Sequence, residues 1–155
     1  MRIFKNATLR FLYNFMKLYL FIKKESRGAQ CLLVHNGKVL LVKATYNDYF
    51  SFPGGGIKRG ETAEEAAKRE LAEETGIDAT KLHLVGEYVH DKGYVKDHIS
   101  LFCVDGFQYG DMPKSRRWEI DESDFYDLNN LPENIEEGTK DKIGIDTSKV
   151  GYGDW

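Results

Sequence analysis

Three glutamates near the middle of the chain have the residue type and spacing of a divalent-cation site. Glu70, Glu73 and Glu74 stand at positions i, i+3 and i+4. An α-helix would place their carboxylates within roughly a quarter of its circumference. Like charges at this spacing cost an isolated helix about 0.2–0.5 kcal/mol per pair. Acidic runs are usually solvated helix faces, but Mg²⁺ is bound by such carboxylates together with substrate phosphates.

The flanking residues predict a helix with defined ends. Thr62 followed three residues later by Glu65 fits a capping box, so the helix should start near Thr62. Gly76 is a C-terminal cap directly after the glutamates. An apolar stripe that can lie closely on a sheet is formed by Ala63, Ala67 and Leu71. The acids are therefore expected on a rigid element.

The segment from Gly55 to Ile77 resembles the signature of the Nudix (MutT-like) hydrolases. That signature is G, five residues, E, seven residues, then R-E-U-x-E-E-x-G-U, where U is aliphatic. The segment agrees at every fixed position, from Gly55 and Glu61 to the run Arg69–Ile77. The resemblance implies an α/β (α+β) fold: a Nudix-type α/β/α sandwich in which the helix packs on a mixed β-sheet.

The resemblance also implies a reaction. It is the metal-dependent hydrolysis of the diphosphate linkage in a nucleoside diphosphate linked to another moiety X, with Mg²⁺ or Mn²⁺ as cofactor. Water attacks phosphorus, and no covalent enzyme intermediate is expected. The metal would neutralise charge that develops on the phosphates and lower the pKa of a bound water.

Residue roles follow from the signature positions. The metal ligands are expected to be Glu70, Glu73 and Glu74, and Glu70 is either a ligand or the base that activates water. Arg69 and Glu61 look like the supporting pair that orients the catalytic loop and the glutamates. All five residues are thus candidate catalytic residues.

Other candidates lie outside these positions. Nudix enzymes often need a further acid on a loop before a late aromatic strand. Glu119 is the first candidate here, as a further metal ligand, and Glu122 is the second. Gly55 and Gly56 should shape the loop that faces the phosphates. Aromatic candidates for substrate binding are Tyr49, Phe52 and Tyr94, the last at the spacing found in dinucleoside polyphosphate hydrolases.

The sequence does not specify the substrate. The proline found about 15 residues after the signature in many ADP-ribose hydrolases is replaced by Lys92. Three alternatives to a nucleotide hydrolase of small substrates remain. A catalytically silent nucleotide-binding module would usually lack one of the glutamates. The isoprenoid isomerase branch needs a catalytic cysteine, and the third alternative is an enzyme acting on RNA 5′ ends.

The length and the net charge of the chain limit its possible domain organisation. The chain of 155 residues is one domain's worth, with a net charge of −3 that does not favour DNA binding. The predicted divisions are an amphipathic basic helix over 1–27, a Nudix domain over 28–142 and a tail over 143–155. Cys31 and Cys103 lie in apolar runs typical of buried thiols in a reducing compartment, which favours the cytoplasm.

The N-terminal segment has two interpretations. Residues 1–27 hold seven basic side chains and one acid, with apolar residues at helical spacing. The helix either packs on the domain or on a partner subunit in a homodimer, or makes a weak contact with an anionic membrane surface through residues 1–24. Its apolar run is about 12 residues, too short for a span of about 20.

Alternating and apolar runs predict the remaining elements. A hairpin is expected because Asn36-Gly37 favours a type I′ turn between two such runs. A short helix is expected over 133–142. The predicted strands are 29–34, 39–44, 50–52, 82–90, 98–107 and 125–128.

Overall fold

The computed structural model describes residues 25–91, 93, 95–111 and 118–155. Residues 1–24, with nearly all of the predicted N-terminal helix, lie outside this part of the chain, as does Tyr94. The predictions of a subunit contact or a membrane contact through that helix therefore stay predictions. Among the described residues, no helix combines the length and apolarity needed to cross a membrane.

Two helices and nine strands make up the described chain. The helices are α1 (Ala63–Thr75) and α2 (Glu137–Lys142). The strands are β1 (Glu25–Leu32), β2 (Val34–His35), β3 (Lys38–Ala44), β4 (Phe50–Ser51), β5 (Gly54–Gly56), β6 (Ile77–Asp91), β7 (Lys96–Tyr109), β8 (Ile120–Asp127) and β9 (Gly151–Asp154).

The larger sheet is mixed and carries α1. Its strand order is β5-β1-β7-β6-β9, with β1 parallel to β7 and β6 antiparallel to β7. A second sheet pairs β3 with β2, β4 and β8, all antiparallel. The predicted α+β fold, a mixed sheet with the signature helix packed on it, is confirmed.

Local sequence accounts for both ends of α1. The Thr62 side chain accepts a hydrogen bond from the Glu65 N–H, and the Glu65 carboxylate accepts one from the Thr62 N–H. Gly76 ends the helix with φ 71°, a left-handed conformation that glycine adopts readily. The predicted caps are therefore confirmed. The buried side of the helix comprises Ala66, Ala67, Glu70 and Leu71.

Two core clusters lie on the two faces of the larger sheet, because side chains alternate along a strand. Phe102 and Val104 of β7 pack in the first cluster, which contains the apolar residues of α1. Leu101, between Ser100 and Phe102, packs in the second cluster. This second cluster joins the larger sheet to β3, to Ile135 and Ile143 on either side of α2, and to Trp155, whose indole lies against Gly138 of α2. The helix glutamates and α2 thus belong to opposite sides of the sheet.

The structure differs from the predicted divisions at both ends. β1 begins at Glu25, so residues 25–27 form a strand beside β7 rather than the end of a helix. The tail over 143–155 packs on the domain: β9 pairs in parallel with β6, and Trp155 joins the second core cluster. The glycines and charged residues of this tail give no alternating pattern in the sequence. The strand forms because β6 provides its hydrogen-bonding partner.

Several element bounds also differ. β6 starts at Ile77 and not at 82, because the chain enters the strand directly after the glycine cap. β7 extends to Tyr109, and β8 begins at Ile120. The second helix is limited to six residues, Glu137–Lys142. The predicted hairpin is present, with φ 51° at Asn36 and φ 74° at Gly37.

Candidate active site

The glycine strand β5 lies directly against the glutamates of α1. The N–H of Gly54 donates to Glu74 Oε2 at 2.9 Å. A Cβ placed on Gly55 would lie 2.7 Å from the Glu70 carboxyl carbon, closer than real Cβ contacts allow. A Cβ on Gly54 would lie 2.4 Å from the Ala29 carbonyl oxygen. Residues without side chains therefore let the loop backbone approach two of the carboxylates, which fixes their positions.

Arg69 connects the loop, its following turn and the helix. Its guanidinium donates to both carboxylate oxygens of Glu61, with Nε–Oε1 at 2.6 Å and Nη2–Oε2 at 2.8 Å. Nη2 also donates to the Gly56 carbonyl oxygen at 3.1 Å. Nη1 donates to Glu70 and lies 3.5 Å from Glu73 Oε2. One side chain thereby orients two of the cluster glutamates relative to the loop.

Glu61 is held in its ionised form. The Arg69 hydrogen bonds, and after them the Lys58 N–H at 2.9 Å, lower the pKa of Glu61 from 4.5 to about 2. The same pairing with Glu61 raises the pKa of Arg69 above its already high ordinary value. The pair therefore stays charged at any pH near neutrality, and its geometry does not change with pH there.

The site carries an excess of negative charge that suits a hard divalent cation. Four glutamates face a single arginine among Glu61, Arg69, Glu70, Glu73 and Glu74. Glu70 is only 5% exposed, so its charge is removed from most of its solvent. Buried carboxylates are stable when they are paired or coordinate a metal. The donor set is oxygen only, which fits Mg²⁺ or Mn²⁺.

Comparison with known proteins assigns the family. The family model of the NUDIX domain matches residues 24–144, which is most of the chain. The chain belongs to the Nudix hydrolase family. Its structure is similar to that of a MutT Nudix hydrolase from Burkholderia pseudomallei, with a TM-score of 0.67, 20% identity, 77% of this chain covered and 95% of that chain. A MutT protein from Bacillus halodurans matches with a TM-score of 0.67, 24% identity and coverage of 82% and 86%.

Two curated relatives have named activities. This Nudix protein is 35% identical over 128 residues to an ADP-ribose pyrophosphatase of Methanocaldococcus jannaschii, covering 77% of this chain and 66% of that protein. It is 34% identical over 84 residues to a putative 8-oxo-dGTP diphosphatase of Bacillus subtilis, covering 54% of this chain and 56% of that protein. The chain thus spans 66% or less of the length of these relatives.

Cys31 lies under α1, near the glutamate cluster, without the properties of a nucleophile. It is fully buried, and its Sγ lies 3.4 Å from the Ala67 carbonyl oxygen. Burial first, and then the charge of Glu74, raises the pKa of the Cys31 thiol to about 12. The thiol therefore stays protonated, as expected for a small buried hydrophobe.

The acids predicted outside the signature lie on or beside β8. Glu122 forms an ion pair with Lys43, to which it is directly opposite in the β3–β8 register. It lies on the same face of β8 as Tyr126, which packs in the second core cluster, away from α1. Glu122 is therefore not placed with the helix glutamates. Glu119 precedes β8, and its carbonyl oxygen accepts from the Thr45 N–H at 2.8 Å; its metal role stays a prediction.

The aromatic candidates fall into different environments. Phe52 is 1% exposed and packs in the second core cluster, with its ring centroid 6.3 Å from that of Trp155. The prediction that Phe52 stacks on substrate is thus wrong, because no ligand can reach a ring enclosed by the core. Tyr49 is 39% exposed and keeps an accessible ring. Tyr94 lies outside the described residues.

One contact in the site was not predicted from the sequence. The backbone N–H of Gly54 bonds to Glu74, whereas the predicted contacts of the glycine loop are with the substrate, through Gly55 and Gly56. The signal was the run of three glycines, 54–56, which indicates close approach of the backbone over its whole length. A backbone donor has no residue signature of its own, so its partner is visible only after folding.

Proposed function

We propose that this Nudix protein is a metal-dependent pyrophosphohydrolase. It hydrolyses the diphosphate linkage in a nucleoside diphosphate linked to a second moiety, by attack of water on phosphorus. The observation that carries the proposal is the contact between β5 and α1, where Gly54 bonds to Glu74 and Gly55 lies against Glu70. This contact places a glycine backbone that can face phosphates beside carboxylates that can bind a cation.

Each of these side chains has a role in the proposal. Glu73 and Glu74, with Glu70, would hold Mg²⁺ or Mn²⁺, which when bound neutralises phosphate charge and acidifies a coordinated water. Glu70 either completes this set or accepts the proton of the attacking water. Arg69 and Glu61 keep the loop and the carboxylates in register without contacting the reacting atoms. Glu119 is the further acid, and Tyr49 and Tyr94 are the aromatic substrate contacts.

The activity is proposed for a small-molecule nucleotide in the cytoplasm. Cys31 and Cys103 are both free thiols, which is the usual state in a reducing compartment. The activities named for the curated relatives make ADP-ribose and 8-oxo-dGTP the first compounds to test. ADP-ribose carries a sugar at the far end of its diphosphate, whereas 8-oxo-dGTP carries a phosphate there. The two compounds therefore test which of these groups the site accepts.

A substrate panel with a single-carboxylate variant tests the proposal. ADP-ribose, 8-oxo-dGTP, a dinucleoside polyphosphate and a 5′-triphosphate RNA are each incubated with Mg²⁺ and with Mn²⁺. We expect turnover of at least one compound, and a loss of about 100-fold or more in kcat for Glu74→Gln. The loss follows because a metal contributes several kcal/mol and each 1.36 kcal/mol is tenfold.

The matched control removes a carboxylate from the same helix. Glu64→Gln lies in the first turn of α1, where Glu64 pairs with Lys68 at 2.6 Å, away from β5. This variant should keep wild-type turnover. Equal activity of Glu74→Gln and wild type would refute the mechanism. Absence of turnover with every compound, accompanied by binding in calorimetry, would instead identify a silent nucleotide-binding module.

A further inference from the structure

Three potential metal ligands meet on the face of the larger sheet opposite α1. His83 on β6 stands directly opposite Cys103 on β7 in the antiparallel register. Asp105 lies two residues beyond Cys103, and therefore on the same face of β7. One ligand atom of each side chain lies within 4.8 Å of those of the other two.

This cluster is separated from the Nudix glutamates by the sheet itself. The neighbours of His83 along β6, Leu82 and Leu84, pack with the first core cluster on the side of α1. Alternation then directs His83 to the other side. The three side chains are not part of the signature, and the proposed hydrolysis does not use them.

The orientation of the His83 ring suits a metal ligand. Its Nε2 lies 2.8 Å from the Thr147 carbonyl oxygen, and its Nδ1 lies 2.8 Å from Asp105 Oδ2. Metal-binding histidines almost always donate their second ring N–H to a carbonyl or carboxylate, which fixes the ring. With Nε2–H donating to Thr147, Nδ1 is the atom presented to the aspartate and the thiol.

The spacing and exposure fit one small ion. A tetrahedral ion bound at about 2.0–2.3 Å needs ligand atoms roughly 3.3–3.6 Å apart. The Nδ1–Oδ2 separation must open by about half an ångström from 2.8 Å, and the thiol must close by up to about 1.5 Å from the 4.8 Å limit. The His83 and Asp105 side chains are 41% and 31% exposed, so an ion can enter from solvent.

We propose that His83, Cys103 and Asp105 form a binding site for a borderline divalent cation, foremost Zn²⁺, with a water in the fourth position. Thiolate and imidazole ligands favour Zn²⁺ or Co²⁺ over Mg²⁺, whereas the Nudix glutamates offer oxygen alone. The two sites therefore differ in the class of cation that they select. Nearby Lys81 opposes binding by its like charge, which limits the affinity but leaves the donor set unchanged.

Binding replaces protons by the metal. The Cys103 thiol loses its proton to solvent, and so does Nδ1 of a protonated His83, while Nε2–H keeps its bond to Thr147. Because Thr147 lies shortly before β9, the ion would also fix the segment that leads to the parallel strand on β6. A rise in thermal stability is thus a second expected effect of Zn²⁺.

Cobalt substitution tests the site with a signal specific to the thiol. The whole chain of 155 residues, free of affinity tags and treated with a chelator, is titrated with Co²⁺ while the near-ultraviolet spectrum is recorded. We expect a thiolate-to-Co²⁺ charge-transfer band that Zn²⁺ abolishes by competition. Co²⁺ at the Nudix glutamates gives no such band, because those ligands are oxygens.

Matched variants assign the band to its ligands. Cys103→Ser should lose the band, Cys31→Ser should keep it, and Asp105→Asn should require about tenfold more Co²⁺ or more. Circular dichroism of each variant establishes that it is folded. Zn²⁺ should raise the Tm of the wild type and not that of Cys103→Ser.

Two results would overturn the site. They are the absence of a band in the wild type at millimolar Co²⁺, and a band that survives in Cys103→Ser. Neither affects the hydrolase proposal, which is read from Mg²⁺-dependent turnover.

Discussion

At the scale of single residues, Arg69 is the centre of the Nudix site. Its fork binds Glu61 on one side and reaches Glu70 and Gly56 on the other. A lysine could not make these contacts at once, because its ammonium lacks the planar, bidentate geometry of the guanidinium. Arg69 therefore positions the carboxylates, and its contribution to the stability of the fold depends on the charge of Glu61.

The ion pair predicts a pH dependence of stability. The pKa of Glu61 is lowered from 4.5 to about 2 in the folded protein. A carboxylate with a depressed pKa stabilises the fold fully above its unfolded pKa and loses that contribution as pH falls through its folded pKa. The difference in urea midpoint between wild type and Glu61→Gln should therefore be constant above about pH 5 and shrink between 4.5 and 2.

A double-mutant cycle serves as the control for this prediction. In an Arg69→Gln background the largest cause of the pKa shift is absent, so the same comparison should depend much less on pH. A Glu61→Gln effect that is equally large at pH 3 and pH 7 would contradict the assignment of the pair as the cause.

At the scale of elements, β5 and α1 approach each other because β5 consists of glycines only. A Cβ on Gly55 would overlap the Glu70 carboxylate, whereas a Cβ on Gly56 would meet no atom within 4 Å. The two positions are adjacent, and both lie in the same strand. Substitutions at these two positions therefore separate the effect of close packing against Glu70 from the effect of losing a glycine in the strand.

Gly55→Ala tests this contact. We expect a loss of about 1–3 kcal/mol in the free energy of unfolding, because the added methyl must displace a buried carboxylate or the strand. Gly56→Ala should change the stability by less than about 0.5 kcal/mol, since its methyl enters open space. Urea denaturation measures both. Equal losses of unfolding free energy for the two substitutions would show that the cost comes from backbone conformation and not from the Glu70 contact.

At the scale of the whole molecule, the C-terminal segment closes the second core cluster. Trp155 packs edge-on against Phe52 and Tyr88, with ring centroids 6.3 and 5.9 Å away. Its backbone N–H donates to the Val89 carbonyl oxygen at 3.0 Å, in continuation of β9. Gly138 of α2 admits the indole, because a Cβ there would lie 2.4 Å from it. The last residues thus join α2 to the larger sheet.

Trp155→Ala measures the contribution of this closure. Truncating a fully buried tryptophan costs about 3–5 kcal/mol, and the indole here is partly exposed, so we expect about 2–4 kcal/mol in urea denaturation. The control is Tyr152→Ala in the adjoining strand β9, where the ring is 74% exposed and the expected change is within about 0.5 kcal/mol. A tail that does not contribute to the core would give the two variants equal stability.

The sequence by itself determined α1 and its carboxylate cluster. The caps at Thr62 and Gly76 and the spacing of Glu70, Glu73 and Glu74 depend on neighbours within four residues, and such interactions can be read directly along the chain. The hairpin at Asn36-Gly37 was equally predictable, because its turn conformation is local. The family signature added the roles of these residues.

Only the tertiary structure decided which side chains share a face across the sheet. The sequence around β4 does not tell that Phe52 is enclosed while Tyr49 stays accessible, because the enclosing group, Trp155, is about 100 residues away in the chain. The meeting of His83 with Cys103 and Asp105 likewise depends on the β6–β7 register. A shift of one residue would turn these side chains to the other face.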